Sequence, residues 1–245
     1  MKVVSLVPSI TEALFDLGLT EKEVVGRTKF CIHPAEKVKD VPVIGGTKNI
    51  NIEKIKALQP DLILANKEEN VKEQVEALMQ DFKVIVTNVE NIEDNYYMLK
   101  NLGKIFHQEE KAQLFNLKIY DVLNHSKIEF PIKVAYLIWN NPYMTIGSDT
   151  FIHKILGEIG FENIFKDRKR YPVIQTEDLA EAELIMLSSE PFPFKEKHIK
   201  ELKKFYPDKK IMIVDGEAFS WYGTHIAKCE NYFKELISDL KHEFH

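Results

Sequence analysis

Strand-length apolar runs recur down the whole chain, each parted from the next by a helix-patterned stretch, and that alternation restricts the fold to the α/β class. The runs are VVSLV (3–7), DLILA (61–65), KVIVT (83–87), KVAYLIW (133–139), ELIMLSS (183–189) and KIMIVD (210–215). Nearly continuous hydrophobicity, without in–out alternation, is the pattern of parallel strands covered on both faces. The first run shows the unit in miniature. Pro8 ends the strand, Ser9 with Glu12 three residues later reads as a capping box for a helix over 10–17, and Gly18 reads as its C-cap.

One plan is written twice. NIEKIKALQPDLILANKEEN sets a capped short helix, an acid, an apolar strand and a polar stretch ahead of KVIVT. QTEDLAEAELIMLSSEPFPF repeats that order ahead of KIMIVD, with Thr176 as cap and Glu183 as the acid. The repetition predicts two Rossmann-like lobes with parallel sheets rather than one extended sheet. Residues 91–126 lie between the copies. Their apolar positions (Tyr97, Leu99, Leu102, Ile105, Phe106, Leu114, Leu117, Tyr120, Leu123) have helical periodicity, with no proline and a single glycine. This predicts one rigid helix of about 30 residues, about 45 Å long at 1.5 Å per residue. The expected layout is an N-terminal α/β lobe over 1–90, a backbone helix over 91–126 and a C-terminal α/β lobe over 127–245, with a ligand cleft between the lobes.

Composition narrows the function. The 245 residues carry a net charge of −5 without long like-charge blocks, which gives no ground for a nucleic-acid or anionic-membrane partner. No window approaches the roughly 20 apolar residues of a membrane span. The basic segment KEKHIKELKKF reads as an amphipathic helix with Ile199, Leu202 and Phe205 turned inward. Cys31 and Cys229 make no disulfide framework and are expected as free thiols in a reducing compartment. No basic start, long apolar segment or cleavage site precedes the first strand. The chain as it stands is therefore expected in the cytoplasm, or in the periplasm if a leader has been trimmed. A monomer is expected.

Ligands of parallel α/β sheets sit beyond the carboxyl ends of the strands. Those ends carry Pro8 and Ser9, RTKFCIH (27–33), Asn66 to Glu69, WNNPY (139–143), SSEPFPF (188–194) and DGEAFSWY (215–222). Both tryptophans, Trp139 and Trp221, fall there, with Phe30, Tyr143, Phe192, Phe219 and Tyr222 beside them. So many rings in loops suit a large flat ligand; the plainer alternative is that some close the lobe cores. Cys31 and His33 also allow a nucleophile–base pair or two metal ligands, yet no CxxC, HExxH, GxSxG or P-loop accompanies them. A binding protein without catalysis, cofactor or metal of its own is the favoured reading.

The segments VVSLVPSITEALFDLG, IEKIKALQPDLILA and NPYMTIGSDTFIHKILGEIGFENIF resemble the helical-backbone (class III) solute-binding proteins of ABC importers. The likeness runs over 3–237 and is strongest to the cobalamin-binding branch, with siderophore and haem binders more distant. It implies two lobes joined by a long helix and a bound cobalamin-like corrinoid or related metal chelate, a ferric siderophore or haem being the alternative. It sets Phe30 and His33 at aromatic ligand contacts, His33 being a candidate axial ligand to a ligand-borne metal. Lys67 stands where the cobalamin binder has a tryptophan, a loss that Trp139 and Trp221 are expected to offset. Arg27, Lys29 and Lys67 are the cations expected to meet an anionic chelate. The resemblance also implies a permease met by one glutamate per lobe, but the matching positions here are Lys72 and Ser220, with Glu73 and Glu217 nearby.

Overall fold

The computed structural model describes residues 1–244, which gather into two compact units. In the first, β1 (Val3–Ser5), α1 (Pro8–Asp16), β2 (Val24–Arg27), α2 (Ala35–Val38), α3 (Ile52–Leu58), β3 (Leu62–Asn66), α4 (Lys72–Met79) and β4 (Val84–Thr87) follow in chain order. The four strands pair in parallel in the order β2-β1-β3-β4. All five residues of β3 are buried, as its unbroken apolar run requires. Residues 93–119 and the segment Trp221–His225 pack with this unit.

The start of α1 departs from expectation. The helix begins at Pro8, Val7 is its N-cap, and no side chain caps it. A proline in the first turn needs no hydrogen-bond acceptor for its missing N–H, so the helix starts without the Ser9–Glu12 box and Glu12 is left to point elsewhere. Gly18, by contrast, adopts φ +107 just past the helix, a left-handed position that suits glycine.

Residues 91–126 form two helices in place of one. α5 (Ile92–Phe106) and α6 (Glu109–His125) are parted at His107, which takes φ +55. They turn back on each other: Asn116 Nδ2 donates to Tyr96 O at 3.1 Å, and a Cβ on Gly103 would lie 2.8 Å from the Ala112 Cβ. The one glycine of the stretch therefore serves close packing between antiparallel helices. Glu109 and Glu110 stand in the first turn of α6, where the helix dipole favours carboxylates; that acidic pair was the sequence signal for a new start. Leu114, Leu117 and Tyr120, expected inside, are 66%, 55% and 59% exposed.

The second unit holds β5 (Ile132–Trp139), β6 (Met144–Thr145), α7 (Phe151–Glu158), β7 (Phe161–Asn163), β8 (Leu184–Ser188), α8 (Glu196–Lys203), β9 (Lys210–Val214), α9 (Gly216–Ser220) and α10 (Glu230–Glu243). Its sheet runs β6-β5-β8-β9, with β7 also on β5; β6 is antiparallel and the other pairings are parallel. Thr150 caps α7 by accepting from His153 N. The cap expected at Thr176 is made instead by Gln175 and Asp178, whose Oδ2 accepts from Gln175 N at 3.0 Å. On α8 Leu202 is buried, but Phe205 lies past the helix end and is exposed.

The repeated plan has a structural counterpart. Lys2 N donates to Asp61 Oδ2 at 2.6 Å while Asp61 N donates to Lys2 O at 2.8 Å. In the second unit Lys133 N donates to Glu183 Oε2 at 2.8 Å and Glu183 N to Lys133 O at 2.8 Å. Each acid thus ties the start of β3 or β8 to the strand beside it.

Candidate ligand-binding faces

In the first unit, the segment Trp221–His225 is pinned at three of its residues. Gly223 N donates to Asn95 Oδ1 at 2.5 Å, and Asn95 Nδ2 returns a bond to Gly223 O at 3.3 Å. Thr224 Oγ1 donates to Asp16 Oδ2, and His225 Nδ1 lies 2.8 Å from Glu12 Oε2. Gly223 sits at φ +79 with the position of an added Cβ 3.1 Å from Ser9 O, so a side chain there would be strained and crowded. This anchoring sets the Trp221 ring edge-on to His33 at 5.2 Å and tilted against His225 at 5.3 Å, with the two imidazoles 5.9 Å apart.

Of the residues expected on this face, Phe30 is 49% exposed and Lys67 is exposed, whereas Ser9, Trp221 and Tyr222 are buried. Burial raises the Tyr222 phenol well above its ordinary value, Glu69 adds to the rise, and the Ser9 and Thr87 hydroxyls oppose it. Arg27 is half-buried, and its Nε donates to Val38 O at 2.8 Å and its Nη1 to Thr28 O at 3.2 Å, which ties the guanidinium to its own loop. Cys31 is fully buried, accepts from Thr11 Oγ1 at 3.0 Å and lies 3.2 Å from Thr28 Oγ1. Burial pushes its thiol up, the reverse of what a nucleophile needs. His33 meets the rings of Trp221 and His225. Among the described residues no three His, Cys, Asp or Glu side chains are gathered to hold a metal ion.

In the second unit, Trp139 ends β5 with 41% of its surface exposed. Beneath it Phe192 packs edge-on at 5.7 Å, and Phe192 in turn meets Phe194 at 4.9 Å and His198 at 5.3 Å. His198 is fixed because its Nδ1 accepts from Lys195 N at 2.8 Å. An exposed indole backed by ordered rings is a preorganised apolar surface that loses little freedom on binding. Tyr143 is half-buried against the same core, and burial raises its phenol. Phe219 is corrected from ligand contact to core: it is fully buried, edge-on to Tyr136 at 5.4 Å and Phe233 at 5.5 Å.

Of the expected docking positions, Ser220 Oγ donates to Glu190 Oε1 at 2.8 Å, and exposed Lys72 pairs with Glu76 at 3.7 Å. Sequence reasoning missed Glu12, Asn95, Thr224 and His225 on the first unit, and His198 on the second. Glu12 did leave a signal: an acid among Ile10, Ala13 and Leu14 on a helix buried nearly all round demands a partner.

Two α/β units with parallel sheets, carrying aromatic residues on their strand-end loops, define a binding protein of the two-lobe type. The chain belongs to the periplasmic binding protein family, whose sequence profile matches residues 3–190. A vitamin B12-binding protein of Salmonella paratyphi A is 30% identical over 184 residues, which is 73% of this chain and 68% of that protein. An uncharacterized ABC transporter substrate-binding lipoprotein of Bacillus subtilis is 32% identical over 180 residues, or 68% of this chain and 56% of that one. The structure of a periplasmic heme binding protein from Pseudomonas aeruginosa superposes with a TM-score of 0.81 at 19% identity, covering 96% of this chain and 92% of that one.

Proposed function

We propose that the protein captures a flat metal chelate outside the cytoplasm, a cobalamin-like corrinoid in the first instance, and presents it to an ABC permease without altering it. The observation that carries this reading is Trp139, whose exposed indole stands on the ordered Phe192–Phe194–His198 cluster. Trp221, Phe30, His33, Lys67, Ser9 and Tyr222 would complete the contacts from the first unit, the buried ones by shaping the floor. The B12-binding relative supports the corrinoid, and the lipoprotein relative supports both the permease and the extracytoplasmic location. A cytoplasmic location draws no support from these relatives. The buried, high-pKa thiol of Cys31 speaks against the enzyme alternative. Haem is the second reading, favoured by the basic apolar groove around Phe30. The test is tryptophan fluorescence titrated with cyanocobalamin, corrected for the ligand's absorbance, with haem and a ferric siderophore in parallel. Saturable quenching at micromolar or lower ligand is expected; silence to all of them would sink the proposal.

A further inference from the structure

Three segments of the first unit meet beyond the strand ends: the β1–α1 junction that leads to Ser9, the loop after β3 that carries Lys67, and a turn over 45–49. In that turn Gly46 N donates to Asn49 O at 2.9 Å. The turn backs Phe30, because Gly45 O accepts from Lys29 N at 2.8 Å and a Cβ on Gly46 would lie 3.3 Å from the Phe30 ring. Asn70 reaches all three segments from a single side chain. Its Oδ1 accepts from Asn66 N at 2.8 Å, and its Nδ2 donates to Leu6 O at 3.2 Å and to Thr47 O at 3.1 Å. The residue is only 7% exposed.

Chemistry fixes which way this amide points. The Asn66 N–H requires an oxygen and the two carbonyls require N–H groups, so only one of the two amide orientations satisfies all three. A buried amide that lacked these partners would be costly, whereas a fully paired one specifies the geometry around it. The loop beside it is closed from both ends. Asn70 N donates to Asn66 O at 3.1 Å, and Asn66 Oδ1 accepts from Glu68 N at 2.8 Å and Glu69 N at 3.2 Å. Lys67 therefore stands on a backbone that two asparagines hold.

We propose that Asn70 is the positioning residue of the first unit's ligand face. Its one amide keeps the segments that carry Ser9, Phe30 and Lys67 in register, so the face is formed before ligand arrives and less freedom is lost on binding. The proposal rests on the solute-binding reading and deepens it, since Asn70 acts through the backbone groups it holds.

The test is cyanocobalamin titration of the full chain by tryptophan fluorescence, for wild type, Asn70→Ala and Asn70→Asp, at a temperature where circular dichroism shows each of them folded. Asn70→Asp keeps the shape of the side chain and the bond from Asn66 N but turns an oxygen toward both carbonyls. Each variant should bind about tenfold more weakly, the scale of ordering one or two side chains on binding. Phe219→Ala, a core change that also lowers Tm, should not weaken binding. Phe30→Ala should cost less affinity in the Asn70→Ala background than in wild type, because a ring on a loosened segment has already lost its contribution. Hydrogen exchange in Asn70→Ala should quicken over 27–33, 45–50 and 67–70 and stay unchanged over α5. Wild-type affinity in both Asn70 variants, or losses from Asn70→Ala and Phe30→Ala that simply add, overturns the positioning role and leaves the solute-binding reading standing. Exchange that quickens evenly over the whole unit overturns it too. Failure of the wild type to bind cyanocobalamin, haem or a ferric siderophore removes the solute-binding reading and, with it, the face that Asn70 positions.

Discussion

Glu12 Oε2 and His225 Nδ1 stand 2.8 Å apart with their side chains only 4% and 12% exposed. A carboxylate this far from water depends on its partners, and His225 is one of them. His225→Ala should therefore cost about 3 kcal/mol, the scale for deleting one partner of a buried pair. At roughly 2–4 °C per kcal/mol for a chain of this size, Tm should fall by roughly 6–12 °C. His225→Gln, which can still donate to the carboxylate, should recover part of the loss. Calorimetry of the two variants checks this; wild-type melting by His225→Ala would show that the pair contributes nothing.

Trp139 and Phe219 separate binding from stability. Trp139 is exposed and its loss empties no core, so Trp139→Ala should weaken ligand by about 1–3 kcal/mol with little change in Tm. Phe219 is fully buried among Tyr136, Tyr232 and Phe233, so Phe219→Ala should cost about 3–5 kcal/mol of stability and leave ligand affinity intact at temperatures where it stays folded. Trp221, only 8% exposed, should show both effects. Titration and melting of the same preparations decide. An unaltered Kd for Trp139→Ala would remove the second unit's face from the site.

Much of the fold was legible because long apolar runs and their flanking acids obey local rules. The equivalence of Asp61 and Glu183 was visible in the repeated plan, and the structure gives both the same reciprocal bonds to a neighbouring strand. β2 was not legible: VVGR is short, and Gly26 breaks the apolar signal because a side chain there would press on Leu58, Val4 and Ile44. The turn at His107 has neither proline nor glycine to announce it. The site was legible only as types of residue near strand ends. Which rings stay exposed depends on long-range pairings such as Asn95 with Gly223, and no local pattern encodes them. Trp139 and Phe30 kept their surface while Phe219, carried by the short helix α9, went into the core.

Cys31 provides a direct check on chemistry. Its thiol is fully buried, bonded by Thr11 and held above its ordinary pKa by desolvation. Cys229 is buried as well. The folded protein should react slowly with a disulfide reagent at neutral pH, and both thiols should titrate promptly once urea unfolds it. Cys31→Ala should retain full ligand affinity. Fast labelling of Cys31 in the native state, or loss of a turnover activity in Cys31→Ala, would revive the enzyme alternative.

The raised phenols make the stability of the fold fall at alkaline pH. Burial pushes Tyr222 and Tyr136 well above the ordinary tyrosine value of 10.0, and Tyr232 moves the same way. In the unfolded chain these groups ionise near that ordinary value, so above it the unfolded state has lost protons that the folded state still holds. Stability is therefore fully present below about pH 10 and falls as pH rises toward the folded pKa, by about 1.4 kcal/mol per pH unit for each such tyrosine. Tyr222→Phe removes one ionisation from the unfolded side. Its stability should fall less steeply than that of wild type between about pH 10 and about pH 11, whatever the variant costs at neutral pH. Urea midpoints across that range measure the slopes. Parallel curves for the two proteins would mean that Tyr222 ionises in the fold as readily as in the open chain.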